Sequence, residues 1–391
     1  MSCEDSEQPS AGKRQDTDDY NALFLSDTPM FDTRAPIEFA RGAFPGVVNL
    51  PLMTDREREL VGTCYKQQGQ EAAIRLGHQL VSGDSRQQRL DQWLEFARKN
   101  PDGYLYCFRG GLRSHTVQKW MAEAGCEYPL VKGGYKAMRR FLIDRLDQLC
   151  DEFDRPDRPQ RLLLLAGQTG AGKTDLLGQI DNSIDLEELA NHRGSAFGKR
   201  ASAQPGQIDF ENAVSIQFLR QQHKAVAVPI ILEDEGRLIG RCALPPRLRN
   251  SMQQASLVVV EAGLEQRIDH SFRNYILEKL SEWQKFCGEP DSAFHYFADE
   301  LRQSMSKIRK RLGGARYQAF SELLEQAIRA HQAGDSSVHR QWIERLLVEY
   351  YDPQYSWNLE RRGQKIVFRG DREEVLHYLE VRSRGPEAGQ W

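Results

Sequence analysis

The sequence predicts an α/β protein in two parts, the second a parallel α/β domain around a phosphate-binding loop with a helical C-terminal region. Three observations predict it. Short apolar runs alternate with stretches of helical spacing along most of the chain. A charged stretch with two prolines, residues 151–160, separates the halves. A glycine-rich loop, Gly167 to Thr174, stands between an apolar run and a helix-compatible stretch. At 391 residues the chain is long for one small domain and long enough to bury two cores.

Taken in order, residues 1–20 are rich in Ser, Asp, Gln and Glu with no apolar segment. They read as a disordered tail and not as a secretory signal. The first domain is expected over residues 21–150. Residues 47–50 are one strand candidate, and Leu105-Tyr106 is another that ends at Cys107. Between them residues 86–99 carry Leu90, Trp93, Leu94 and Ala97 at helical spacing. A second helix is expected over residues 114–124, closed by Gly125. Residues 151–160 read as the linker and 161–391 as the second domain. The apolar run 162–165 suits a strand buried on both faces. Residues 184–186, 225–232 and 257–260 are further strand candidates, although Pro229 cannot donate to a ladder. From about Ile268 onward helical patterns dominate.

Composition excludes several classes. Apolar residues make up 40% and charged residues 28%, an ordinary soluble balance. No apolar run reaches the roughly 18 residues of a membrane helix, so no membrane partner is expected. The seven cysteines are odd in number and contain no C-x-x-C pair, which argues against a disulfide framework or zinc site. A reducing cytoplasm is the expected location. With a net charge of only −3, any nucleic-acid binding must come from local basic patches.

Two loops carry chemistry. Gly167-Gln-Thr-Gly170-Ala171-Gly172-Lys173-Thr174 fits G-x-x-x-x-G-K-[ST] between a strand and a helix. Its glycines let amides turn toward a phosphate, and the helix N-terminus adds its positive end. Lys173 would neutralise phosphate charge, and Thr174 would hold Mg²⁺ through its hydroxyl. One of Glu233, Asp234 and Glu235 would assist that metal, and Asp234 is the expected choice. The second loop is Cys107-Phe-Arg109-Gly110-Gly111-Leu-Arg113-Ser114. A cysteine at a strand end opens a loop into a helix, with small residues to aim amides at the sulfur. The dipole of that helix and the two arginines would favour a nucleophilic thiolate, while Cys126 and Cys150 read as structural. Three basic groups are candidate phosphate contacts: His192 and Arg193, then Arg237 and Arg241, then Lys310 and Arg311 with their neighbours. In the last group Leu301, Met305, Ile308 and Leu312 share one helix face, so the basic side chains point elsewhere.

Phe31-Asp32-Thr33-Arg34, Glu38-Phe39, Gly42 and Pro45-Gly46-Val-Val-Asn49 resemble the opening signature of rhodanese domains, and Gly133-Gly134-Tyr135 resembles their closing segment. A rhodanese-like α/β domain followed by a P-loop NTPase-like domain is similar to the tRNA 2-selenouridine synthase family. Residues 61–73, 189–198 and 231–240 add to that resemblance, which covers nearly the whole chain after the tail. The resemblance implies a tRNA anticodon loop bearing wobble 2-thiouridine as substrate. It implies alkylation of the sulfur by geranyl diphosphate, then displacement by selenium from selenophosphate and its supply system. It places geranyl transfer at Lys173 and Thr174, and selenation at Cys107, which would carry selenium as a selanyl-cysteine.

The spacing Cys107 to Arg113 is C-x5-R, one residue longer than in simple sulfurtransferases and matching phosphatases of the rhodanese fold. Tyr106 stands where those phosphatases usually carry histidine. A phosphatase, an ATP-dependent sulfurtransferase and a nucleotide-binding module with an inert cysteine loop are therefore the competing readings.

Overall fold

The computed structural model describes residues 14–156, 161–224, 228–361, 363 and 365–383. The chain divides into two compact units between Asp144 and Arg145, within the helix Gly134–Phe153.

The first unit is built on a parallel sheet of β1 (Met30–Asp32), β2 (Val48–Asn49) and β3 (Tyr104–Tyr106), in the order β2-β1-β3. Single parallel bridges, Leu105 with Leu130 and Val131 with Thr17, widen it. Helices Gly83–Lys99 and Leu112–Glu123 bury Leu90, Trp93, Val117, Trp120 and Met121 in one cluster with Phe31 and Leu105. The buried faces recur every three or four residues, as the 3.6-residue period demands. Trp93 is fully buried and donates its indole N–H to Leu50 O at 3.0 Å. Helix Asp55–Leu80 starts on a capping box, Thr54 with Glu57, and breaks its helical geometry at Gly69.

The Asp-Thr-Arg signature is structural glue. Asp32 and Arg34 form a buried ion pair at 2.7 Å. Arg34 also donates to Gly42 O at 2.8 Å and stacks on the Tyr135 ring at 3.8 Å. Asn49 Nδ2 donates to the carbonyls of Asp32 and Arg34.

The second unit holds a five-stranded parallel sheet in the order β10-β9-β4-β6-β5. Its strands are β4 (Leu162–Gly167), β5 (Ser183–Ile184), β6 (Ile230–Glu233), β9 (Ser256–Val260) and β10 (Ile366–Gly370). A small antiparallel hairpin joins β7 (Leu238–Ile239) to β8 (Cys242–Ala243). β4 sits at the centre, and its side chains alternate between two cores. Leu162, Leu164 and Ala166 enter one, Leu163 and Leu165 the other. Each buried leucine contributes about 1.5–3 kcal/mol, which explains why this strand reads as an unbroken apolar run. Beyond the sheet, Pro290–Leu312 packs between Lys279–Cys287 and Gly314–Gln332, with Leu301, Met305, Ile308 and Leu312 buried as their spacing predicts.

Several expectations need correction. Residues 1–13 lie outside the described residues, but 14–20 are not a free tail. Arg14 donates to the carbonyls of Pro101, Asp102 and Gly103, and Asp16 accepts from Leu130 N, so this segment is laced to the unit by backbone groups. Residues 151–153 of the expected linker continue a helix, and 157–160 lie outside the described residues. Of the run 225–232, residues 225–227 lie outside them too, and the strand begins only after Pro229. Leu186 begins a helix instead of continuing β5. β10 interrupts the helical C-terminal region and adds an edge to the sheet through β9. No helix among the described residues is long and apolar enough to cross a membrane.

Candidate active sites

The phosphate loop runs from the end of β4 into the short helix Lys173–Leu177. Ala171 N donates to Gln168 O, whereas the amides of Gln168, Thr169, Gly170 and Gly172 donate to no backbone carbonyl among the described residues. Lys173 Nζ donates to Gly167 O at 3.1 Å, folded back over the loop it serves. Arg267, only 3% exposed, holds the loop from beneath. It donates to Thr169 O at 2.9 Å and Gln168 Oε1 at 3.1 Å, and its fork is closed by Asp352 at 2.5 and 3.0 Å. Asp175 sits among His270, Arg273 and Arg372. Burial alone would raise its carboxyl, but the hydrogen bond and charge of Arg273, with His270 and Arg372, hold it below the ordinary value.

The loop forms one wall of a cavity of about 1570 Å³. The acid beside Thr174 is Glu233, not the expected Asp234: Thr174 Oγ1 donates to Glu233 Oε1 at 2.8 Å. The physical reason is position along the strand. Glu233 is the last residue of β6, paired with Leu165 next to the loop, while Asp234 has left the ladder and donates its amide to Leu165 O. Asp234 lines the same cavity without occupying that position.

Glu233 is one of three acids. Carboxylate oxygens of Glu187, Glu233 and Glu235 all lie within 4.8 Å of one another. At that separation each like-charge pair costs about 3–4 kcal/mol at an effective dielectric of about 20. Burial pushes all three carboxyls above their ordinary values. The charges of neighbouring acids add to it, Glu233 and Glu235 at Glu187, Glu235 at Glu233 and Asp234 at Glu235, while a hydrogen bond with Glu187 lowers Glu235 and Lys173 offsets part of the rise at each.

The segment 191–198 borders this cluster. His192 N donates to Glu187 O, and His192 pairs with Lys199 across an antiparallel bridge. Burial and the surrounding cations push the His192 imidazole down to about 4, so it is neutral at physiological pH. Arg193 is bound to Glu282 at 2.6 Å, with Glu278 3.6 Å away. Of the other basic candidates, Arg241 and Arg311 line the cavity and Arg237 and Lys310 do not. Arg241 donates to the carbonyls of Gln204 and Pro205, and Arg311 reaches the Tyr350 hydroxyl at 3.5 Å. Lys199, Lys285 and Lys307 also line it and make no ion pair among the described residues.

In the first unit Cys107 stands at the end of β3, 3% exposed. Ser114 Oγ donates to its sulfur at 2.8 Å. None of the amides from Phe108 to Arg113 donates to a backbone carbonyl among the described residues. The other side of the loop is closed by Gly134. Tyr135 N and Lys136 N donate to the carbonyls of Cys107 and Phe108. A Cβ on Gly134, whose φ is +58°, would overlap the Cys107 carbonyl oxygen. Arg113 is not a free cation beside the loop. It bonds both oxygens of Glu38, at 2.6 and 3.3 Å, and Arg58 lies 3.4 Å from the same carboxylate. Burial would raise Glu38, but Arg113 outweighs it and keeps the acid ionised. Arg109 is exposed.

Sequence reasoning missed Glu38 as the partner of Arg113, Glu187 and Glu235 as partners of Glu233, and Arg267 as the loop's support. Glu187 had a signal, since it lies beside the segment 189–198 already singled out. Arg267 had none, because nothing local relates it to a loop about one hundred residues earlier.

A family model described as the tRNA 2-selenouridine synthase AAA domain matches residues 160–385. Similar relatives carry the name tRNA 2-selenouridine synthase, three of them as follows. That from Hahella chejuensis (strain KCTC 2396) is 59% identical over 368 residues, 94% of this chain and 95% of its own length. That from Pseudomonas entomophila (strain L48) is 54% identical, over 95% of this chain and 98% of its own length. That from Pseudomonas syringae pv. syringae (strain B728a) is 51% identical, over 93% and 98%.

Proposed function

The chain belongs to the tRNA 2-selenouridine synthase family, and from that premise we propose that it replaces sulfur by selenium in tRNA-borne 2-thiouridine in two steps, one in each unit. One observation supports the division: each unit carries a glycine-containing loop with amides that have no backbone acceptor among the described residues, and the proposed route has two phosphate-bearing substrates. The P-loop cavity takes geranyl diphosphate. The uridine sulfur attacks the geranyl C1, the C–O bond breaks, N3 loses its proton and diphosphate departs. The cysteine loop takes selenophosphate, its tetrahedral phosphate on the free amides between Phe108 and Arg113. Selenium bonds C2, the C2–S bond breaks and geranylthiol leaves with a proton; water then attacks phosphorus, the Se–P bond breaks and phosphate leaves. Cys107 is the residue assigned to selenium delivery, in a rhodanese-like unit. With Arg113 bound to Glu38, the amides supply the anion contact, which favours this reading over a C-x5-R phosphatase.

The P-loop residues fit Mg²⁺. Glu233 Oε2 is buried without a hydrogen-bond partner, and Thr174 bonds the other oxygen. Thr174 and Glu233 would hold the ion, which would supply charge neutralisation to the departing diphosphate. Lys173 and the loop amides orient that group, while Lys199, Lys285, Lys307 and Arg311 meet phosphates of the tRNA at the cavity wall.

Nucleoside mass spectrometry tests the reading. Full-length protein, 2-thiouridine tRNA, geranyl diphosphate, selenophosphate and Mg²⁺ should yield 2-selenouridine. Cys107→Ala should stop at the S-geranyl nucleoside, and Lys173→Ala should leave 2-thiouridine intact yet still selenate pre-geranylated tRNA. Loss of the opposite step in each variant overturns the division.

A further inference from the structure

We propose that Glu187, Glu233 and Glu235 together form a binding site for a hard divalent cation, Mg²⁺ or Mn²⁺, at the floor of the P-loop cavity. The P-loop hydroxyl and the strand-end acid are two of the groups around it. Glu187 and Glu235 are the ones no motif marks.

Geometry comes first. The three side chains offer oxygens that lie within 4.8 Å of one another. A cation bonded to oxygen at about 2.1 Å accepts ligands up to about 4.2 Å apart, so closure needs a shift of a few tenths of an ångström. The donors are all oxygen, the set that suits Mg²⁺ or Mn²⁺ and not a soft metal.

A second observation points into the cluster. Glu233 is 1% exposed, and its Oε2 has no hydrogen-bond partner, while its Oε1 accepts from Thr174. A buried carboxylate oxygen without a donor is costly unless something positive meets it. Lys173, the nearby cation, is turned onto Gly167 O and makes no hydrogen bond to the three acids among the described residues.

The backbone makes room for this arrangement. Gly194 has φ +61°, and a Cβ there would overlap Glu187 Oε1 and crowd Glu235 Oε1. The glycine in the His192-Arg193-Gly194 segment thus lets the loop pass over two carboxylates brought together from separate parts of the chain.

The cation's role in diphosphate departure rests on the function proposed above, but its binding does not. The test therefore uses the full chain and Mn²⁺ alone, with no tRNA and no diphosphate. Mn²⁺ binding is followed at pH 8 by electron paramagnetic resonance of the free ion, for wild type, Glu187→Gln, Glu235→Gln and the double variant. The expected result is one bound ion per wild-type chain, at least tenfold weaker binding in each single variant, and no detectable binding in the double variant. Melting temperature gives an independent readout: Mn²⁺ should raise it for wild type and leave it unchanged in the double variant. A variant that does not fold is replaced by Glu→Asp at the same position, which keeps the charge, shortens the reach and should still weaken binding. Undiminished Mn²⁺ affinity in the double variant, or no binding by wild type, overturns the site. If wild type binds no Mn²⁺ yet still makes 2-selenouridine, the cation site is wrong and the functional reading stands.

Discussion

Single side chains decide how the cysteine loop behaves. Arg113 is the residue that C-x5-R spacing singles out, yet its charge is spent on Glu38 and not held free beside the sulfur. Glu38→Gln should leave that guanidinium uncompensated near Cys107. The expected outcome is alkylation of Cys107 by iodoacetamide a few-fold faster at neutral pH, with about 1–2 kcal/mol lost from the first unit's stability. Ser114→Ala should act in the opposite sense on the sulfur, since it removes the hydroxyl donor at 2.8 Å. Slower alkylation there, measured beside wild type, is the outcome expected; unchanged rates in both variants would remove any electrostatic role for these residues. At the P-loop the sequence offered three adjacent acids and no rule for choosing among them. Strand register chose, because the last residue paired with β4 is the one that meets Thr174.

Elements show the same division between what is legible and what is not. The strand–loop–helix at residues 162–177 was readable because both its apolar run and its glycines are local facts. β10 was not, since Ile366–Gly370 is half-exposed at a sheet edge and lacks the unbroken apolar run of β4. Residues 14–20 read as a tail because their bonds to the unit are made by an arginine, an aspartate and backbone groups, which leave no periodic signal. Two loops make predictions at this scale. Gly134→Ala should cost more than the roughly 1 kcal/mol expected for a positive φ alone, because the new methyl meets the Cys107 carbonyl and not solvent. Urea unfolding of the full chain should show the loss in its first unit, and selenation should fall with it. Gly194→Ala should instead displace Glu187 and weaken Mn²⁺ binding while leaving Cys107 alkylation unchanged.

At the scale of the whole molecule, pH reports on groups the fold has buried. His339 is fully buried, with its Nδ1 accepting from Trp342 Nε1 at 2.9 Å and its Nε2 facing His331 at 3.2 Å. Burial, aided by His331, pushes it down to about 3, and His192 falls to about 4. Both are neutral in the folded chain and protonate near 6.5 when unfolded. The unfolded state then binds more protons as pH falls, so their contribution is full above about 6.5 and is lost below it, with a slope approaching about 1.4 kcal/mol per pH unit for each. The raised carboxyls of Glu187, Glu233 and Glu235 act in the opposite sense over the same range, so the histidine contribution is read as a difference between proteins. His339→Gln should lower the urea midpoint of the second unit at pH 7, and its deficit from wild type should shrink as pH falls from about 6.5 to about 4.5; a deficit that stays constant would refute the assignment. The sequence by itself determined the α/β class, the two loops and their order, because strand, glycine turn and helix are written in neighbouring residues. Family membership was legible for the same reason, in short runs read one at a time. Only the tertiary structure decided that Glu38 holds Arg113, that Arg267 holds the phosphate loop, and that Glu187 and Glu235 join Glu233. Those partners lie far apart along the chain, and what joins them is sheet register and burial, which no local pattern encodes.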